Sequence, residues 1–207
     1  MTVYQQITSS KLIAILRGAD PSDVVRIAAA LYEGGIRLLE ITMNSEAPLQ
    51  AIEQVAGKLG NDMVIGAGTV LDAAMAADAY SAGARFILSP VVDESVIVAT
   101  KRLGAVSIPG AYTATEIYTA HRAGADIVKV FPANSPSYIK ELRAPLPHIP
   151  LLPTGGITPE NIGAYLKTGA VGFGIGSALV DTRQPVTDVY LETLKENARK
   201  LIQAMQS

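Results

Sequence analysis

Eight short apolar runs recur along the chain about every two dozen residues: Leu12 to Arg17, Leu38 to Met43, Val64 to Val70, Phe86 to Pro90, Ala105 to Gly110, Ile127 to Pro132, Leu151 to Ile157 and Gly172 to Ser177. Each is followed by a stretch with helical periodicity. Consecutive parallel strands need a crossover, and a helix is the crossover that also covers an apolar sheet face. Alternation of this kind predicts a parallel α/β sheet, and a count of eight predicts closure into a (β/α)8 TIM barrel. With 207 residues there is room for one lean barrel, so residues 1–207 are expected to form a single domain.

Helix boundaries are readable at several places. Asp20-Pro21 and Thr158-Pro159 each have the form of an N-cap followed by a first-turn proline, and Thr113 with Glu116 has capping-box spacing. Gly34-Gly35, Gly83, Gly104, Gly124 and Gly169 stand a few residues before the next strand, where a left-handed residue stops a helix. In the last segment Tyr190, Leu194, Ala198, Leu201 and Met205 follow the helical period and are expected to pack on the barrel wall.

Composition excludes several function classes. The net charge is −2 and the cations are scattered singly, so no basic stripe is available for a nucleic-acid backbone. No segment approaches the roughly 18 uninterrupted apolar residues of a membrane span, and the first residues lack the basic start and apolar core of a secretory signal. There is no cysteine, which fits a cytoplasmic setting. Only His121 and His148 are available as imidazole ligands, so a metal-dependent mechanism is disfavoured.

In a barrel of this kind the active site forms from the C-terminal ends of the strands and the loops after them. Unusual polar residues fall there: Arg17, Glu40 and Thr42, Thr69, Ser89-Pro90, Lys129, Thr154-Gly155-Gly156, and Gly174-Ile175-Gly176-Ser177. Lys129 is the most telling, an amine set inside the apolar run Ile127-Val128-Lys129-Val130-Phe131-Pro132. Desolvation favours an uncharged amine, and an uncharged amine forms imines with carbonyl substrates. The structural alternative is a stem threaded along apolar neighbours with its ammonium in water.

Side-chain alternation puts Glu40 on one face with Leu38 and Thr42, and Lys129 on one face with Ile127 and Phe131. Both charges are therefore expected to point into the barrel, either as a plain ion pair or as a proton-transfer couple. The glycine segments after the seventh and eighth strands would expose backbone amides suited to a phosphate.

At these residues the chain resembles the class I aldolases that cleave 2-keto-3-deoxy-6-phosphogluconate (KDPG) and 4-hydroxy-2-ketoglutarate (KHG). The similarity runs from about Lys11 to the C-terminal helix. Its most specific pieces are Leu39-Glu40-Ile41-Thr42, Ile65-Gly66-Ala67-Gly68-Thr69-Val70, Ser89-Pro90, Val128-Lys129-Val130-Phe131-Pro132-Ala133 and Pro153-Thr154-Gly155-Gly156-Ile157. The resemblance implies that Lys129 forms a Schiff base with pyruvate, that Glu40 is the general acid and base, and that Thr69 helps hold the keto-acid carboxylate. It places Phe131 near the pyruvyl methyl, Thr154 at the hydroxylated part of the substrate, Gly155, Gly156, Gly176 and Ser177 at its phosphate, and Pro90 and Pro109 on the pocket wall. It further implies a homotrimer acting without cofactor or metal on a small 2-keto acid phosphate.

One departure bears on the carboxylate contact. Several gluconate-type relatives carry an arginine four residues after the catalytic glutamate, where this chain has Asn44. It keeps Arg17 in Ile15-Leu16-Arg17-Gly18 instead, as another branch does, so the contact is assigned to Arg17. Galactonate-type aldolases share these features but tend to have an apolar residue before the glycine pair, so Thr154 favours the gluconate and ketoglutarate branch. Phosphate-binding barrel epimerases and non-catalytic sugar-phosphate sensors are the competing classes; neither would release pyruvate.

Overall fold

The protein is described by a computed structural model covering residues 1–206. An N-terminal helix α1 (Val3–Ser10) precedes the first strand, β1 (Leu12–Leu16). Alternation then begins with α2 (Val24–Glu33), β2 (Leu38–Thr42), α3 (Pro48–Leu59), β3 (Val64–Gly68), α4 (Ala73–Ala82), β4 (Phe86–Leu88) and α5 (Glu94–Arg102). It continues through β5 (Val106–Ile108), β6 (Gly110–Ala111), α6 (Ala114–Arg122), β7 (Val128–Val130), α7 (Pro136–Arg143), β8 (Leu151–Pro153), α8 (Ile162–Leu166), β9 (Phe173–Ile175) and α9 (Asp188–Ala204).

The strands form two parallel sheets, in the orders β5-β4-β3-β2-β1-β9 and β6-β7-β8. β5 and β6 are two halves of one expected strand, divided at Pro109, which has no N–H to give to a ladder. On the other side a parallel bridge between Thr154 and Gly174, with Val171 N–H donating to Leu151 O (2.9 Å), joins β8 to β9. The eight-strand rhythm thus closes into the TIM barrel. The strands are shorter than the apolar runs, so Arg17, Thr69, Pro90, Phe131 and Ser177 lie just beyond them, in the loops, and Thr154, just past β8, is held by its bridge to Gly174.

Alternation along each strand divides the core in two. Leu12, Ala14 and Leu16 of β1, Leu39 and Ile41 of β2, and Val128 and Val130 of β7 pack under the helices. Ile13, Leu38, Val64, Phe86, Leu88, Val106, Ile108, Ile127 and Leu152 fill the barrel interior. Ile7 of α1 joins this interior cluster and is fully buried, so the first helix, which lies outside the βα rhythm, plugs the barrel. Burying one such side chain contributes about 1.5–3 kcal/mol, enough to hold a helix of two turns in place.

Two helix starts differ from expectation. α2 begins at Val24, because the Asp20 carboxylate accepts from the Ser22 N–H (2.8 Å) and hydroxyl (2.6 Å) and closes a turn of its own. α8 begins at Ile162, because the Thr158 N–H donates to Asn161 Oδ1 (2.9 Å) in a turn that precedes it. The Thr113–Glu116 capping box forms. Gly35, Gly83, Gly104, Gly124 and Gly169 all take positive φ after their helices, whereas Gly34 stays right-handed. Tyr190, Leu194, Ala198 and Leu201 of α9 are buried against the barrel, with Met205 partly so.

Candidate active site

β7 carries Lys129 into the lumen, because its neighbours Val128 and Val130 take the helix-facing side. The residue pairs in register with Gly110 and Leu152 and is 6% exposed. Its Nζ lies 5.3 Å from the centroid of the Phe131 ring, a cation–π distance. The ring itself leans over Gly155, where an added Cβ would stand 3.3 Å from it.

β2 carries Glu40 inward by the same alternation, level with Ile15 and Gly66, and leaves it fully buried. Its carboxyl lies over Gly68, and a Cβ at that position would overlap it. Neither carboxyl oxygen has a hydrogen-bond partner in the protein. Burial pushes the Glu40 carboxyl above its ordinary 4.5, with the charges of Lys129 and then Arg17 pulling in the opposite direction. The two buried groups do not close an ion pair, which removes the plain salt bridge as the reason for their presence.

A pocket of about 430 Å³ opens at the C-terminal end of the barrel, with Lys129 on its wall. Arg17, Thr69, Pro90, Phe131, Thr154, Gly155, Gly156, Gly176 and Ser177 line it as well. Glu40 contributes no atom to the wall, and Pro109, expected there, is instead buried at the break between β5 and β6.

Arg17 is held in place by neighbouring loops. Its Nη1 donates to Asn44 Oδ1 (2.9 Å) and lies 3.5 Å from Thr69 Oγ1. The Gly18 N–H donates to Ser45 Oγ (2.9 Å), which in turn shares a hydrogen bond with Thr42 Oγ1 (2.8 Å). Thr69 sits at φ 59°, a left-handed conformation that costs a β-branched residue energy and is found where a side chain must be aimed. Thr154 is 3% exposed, its hydroxyl making only a 3.5 Å contact with Leu152 O. The N–H groups of Gly155, Gly156, Gly176 and Ser177 have no acceptor among the described residues, and all four residues line the pocket.

Two contributors were not read from the sequence. Asn44 appeared only as a departure from a pattern, yet it is the closest partner of Arg17. Arg183 also lines the pocket, its Nε and Nη2 forked onto Asp181 at 2.7 and 3.1 Å. The signal available for it was the charged Asp181-Thr182-Arg183 triplet after the last strand, a loop with no periodicity to interpret. The wall therefore carries three cationic side chains, Arg17, Lys129 and Arg183, and no carboxylate. Among the described residues no group of three or more His, Cys, Asp or Glu is placed to hold a metal ion, and no helix is long and apolar enough to cross a membrane.

Residues 3–190 match the family model described as KDPG and KHG aldolase. The chain belongs to the KDPG and KHG aldolase family.

Members of this family are lyases. The chain is 37% identical over 182 residues to the 2-dehydro-3-deoxy-6-phosphogalactonate aldolase of Escherichia coli K12, covering 86% of this chain and 89% of that one. It is 36% identical over 159 residues to a 2-dehydro-3-deoxy-phosphogluconate aldolase of Pseudoalteromonas atlantica, covering 75% and 74%. Among solved structures, the KDPG aldolase of Legionella pneumophila, crystallised with pyruvate captured as a covalent carbinolamine, superposes with a TM-score of 0.79 at 26% identity, covering 99% of this chain and 98% of that one.

Proposed function

We propose that the protein is a lysine Schiff-base aldolase that cleaves 2-keto-3-deoxy-6-phosphogluconate to pyruvate and glyceraldehyde 3-phosphate, and 4-hydroxy-2-ketoglutarate to pyruvate and glyoxylate. The observation that carries this reading is the Lys129 amine on the wall of a pocket that Arg17 and unpartnered glycine amides also line. A molecule with a carboxylate at one end, a carbonyl beside it and a phosphate at the far end satisfies all three features at once. In this reading Arg17 and Thr69 take the carboxylate, Lys129 attacks C2, and Gly155, Gly156, Gly176 and Ser177 donate to the phosphate.

Loss of water from the first adduct leaves a protonated imine. That imine draws the electrons of the C3–C4 bond as it breaks, and pyruvate remains as the enamine. Because the iminium is itself the electron sink, the chemistry needs no Lewis acid. Glu40, whose affinity for a proton is raised by burial, moves protons at the carbinolamine and at the C4 hydroxyl, through water where it does not reach. Phe131 and Pro90 flank the pyruvyl end.

A second reading differs only in configuration at C4. The galactonate epimer would give the same products, and it is favoured by the activity named for the E. coli relative at 37% identity. The Thr154 hydroxyl at the pocket wall favours the gluconate. The test is pyruvate release from the gluconate, galactonate and hydroxyketoglutarate substrates side by side. The proposal expects the phosphogluconate to lead by about tenfold or more in kcat/KM, which corresponds to about 1.4 kcal/mol between transition states. A lead for the galactonate would install the second reading, and no pyruvate from any of the three would overturn both.

A further inference from the structure

We propose that Arg183 is the charged ligand of the substrate phosphate, a specificity residue that separates phosphorylated 2-keto acids from their unphosphorylated counterparts. This inference rests on the aldolase reading above and deepens it.

The argument begins with charge. A phosphorylated 2-keto acid brings a carboxylate and a phosphate of about −1.5 to −2 at neutral pH. Lys129 is consumed in the imine and Arg17 stands at the carboxylate end, held by Asn44 and beside Thr69. The glycine amides supply dipoles but no net charge. Arg183, already paired with Asp181, is the remaining cationic side chain on the pocket wall, and it offers the phosphate charge-assisted donors rather than a free net charge.

Its loop is built to keep it there. After β9 the chain makes a single turn, Leu179 and Val180 N–H donating to Gly176 O at 2.8 and 3.0 Å, so Asp181 to Arg183 follow directly on the Gly176-Ser177 amides. Thr182 Oγ1 donates to Arg17 O (2.8 Å) and Tyr190 Oη to Asp181 O (3.0 Å), which pins the backbone on both sides. Within that fixed loop the Arg183 side chain is 86% exposed and forked onto Asp181. An ion pair so open to water contributes little to stability, so its value is positional. The fork occupies Nε and one Nη2 hydrogen and leaves the remaining guanidinium hydrogens for a phosphate oxygen. Asp181, its carboxyl held down to about 2 by Arg183 and Gln184, stays ionised and orients the guanidinium throughout.

The test compares wild type, Arg183→Ala and Arg183→Lys on a phosphorylated 2-keto-3-deoxy acid and on the same acid without its phosphate. Titration of inorganic phosphate into each protein by calorimetry reads the contact without turnover. The expected result is a fall of about tenfold or more in kcat/KM of Arg183→Ala on the phosphorylated acid, carried mainly by KM. The loss on the unphosphorylated acid should be about tenfold smaller, phosphate affinity should weaken, and Arg183→Lys should recover part of the loss. Equal losses on both acids, or unaltered selectivity with unaltered phosphate affinity, would overturn the proposal. Should wild type release no pyruvate from either acid, the aldolase reading fails, and the phosphate titration still decides Arg183 on its own.

Discussion

Glu40 is a carboxyl in the barrel interior with no partner for either oxygen among the described residues, a state that costs stability. Its consequences are measurable in two ways. Glu40→Gln keeps the shape but cannot exchange a proton, so kcat should fall by about a hundredfold or more while the protein still folds; turnover near that of wild type would remove Glu40 from proton transfer. Stability should move the other way. Below its ordinary 4.5 the carboxyl is protonated in both the folded and the unfolded chain, so its burial makes no pH-dependent contribution. As pH rises past that value the unfolded chain releases the proton while the folded chain retains it, so wild type loses stability until its raised folded value is passed. Denaturant unfolding at about pH 4 and about pH 8 should therefore show Glu40→Gln gaining on wild type toward the higher pH, and parallel curves would contradict the raised carboxyl. The inward direction of Glu40 and Lys129 was legible from alternation alone, because a strand leaves a side chain only two choices. The Arg17–Asn44 contact and the Arg183–Asp181 fork were not, because loop residues meet through tertiary placement that no period records.

At the scale of elements, β3 shows how glycine shapes a site. Gly66 and Gly68 both face the lumen, and both positions are already filled by a neighbour: the Phe86 ring over Gly66 and the Glu40 carboxyl over Gly68. Alanine at the two sites should separate packing from chemistry. Gly66→Ala presses on the interior cluster and should destabilise by about 1–3 kcal/mol. Gly68→Ala presses on the Glu40 carboxyl and, on the proposed role of that group, should lower kcat more than it lowers the unfolding midpoint; the reverse ranking of the two variants would contradict the proposed roles. The run Val64 to Val70 was readable as a strand, but which glycine served which neighbour depended on register with β2 and β4. α1 escaped the reading because it follows no strand, and the break at Pro109 escaped because apolar residues continue on both sides of it.

For the whole molecule, the barrel brings together residues far apart in sequence, with Arg17, Lys129, Thr154 and Ser177 around a single pocket. The fold was legible because eight repeats of strand and helix leave few closed arrangements, and the end of the barrel that carries the site follows from strand direction. The central claim is that Lys129 is the amine that bonds to the keto acid. Treating the protein with pyruvate and borohydride and mapping the product by peptide mass spectrometry tests it directly. One reduced pyruvyl adduct on the peptide holding Lys129, abolished in Lys129→Met, is the predicted result; an adduct on another lysine, or none, would contradict it.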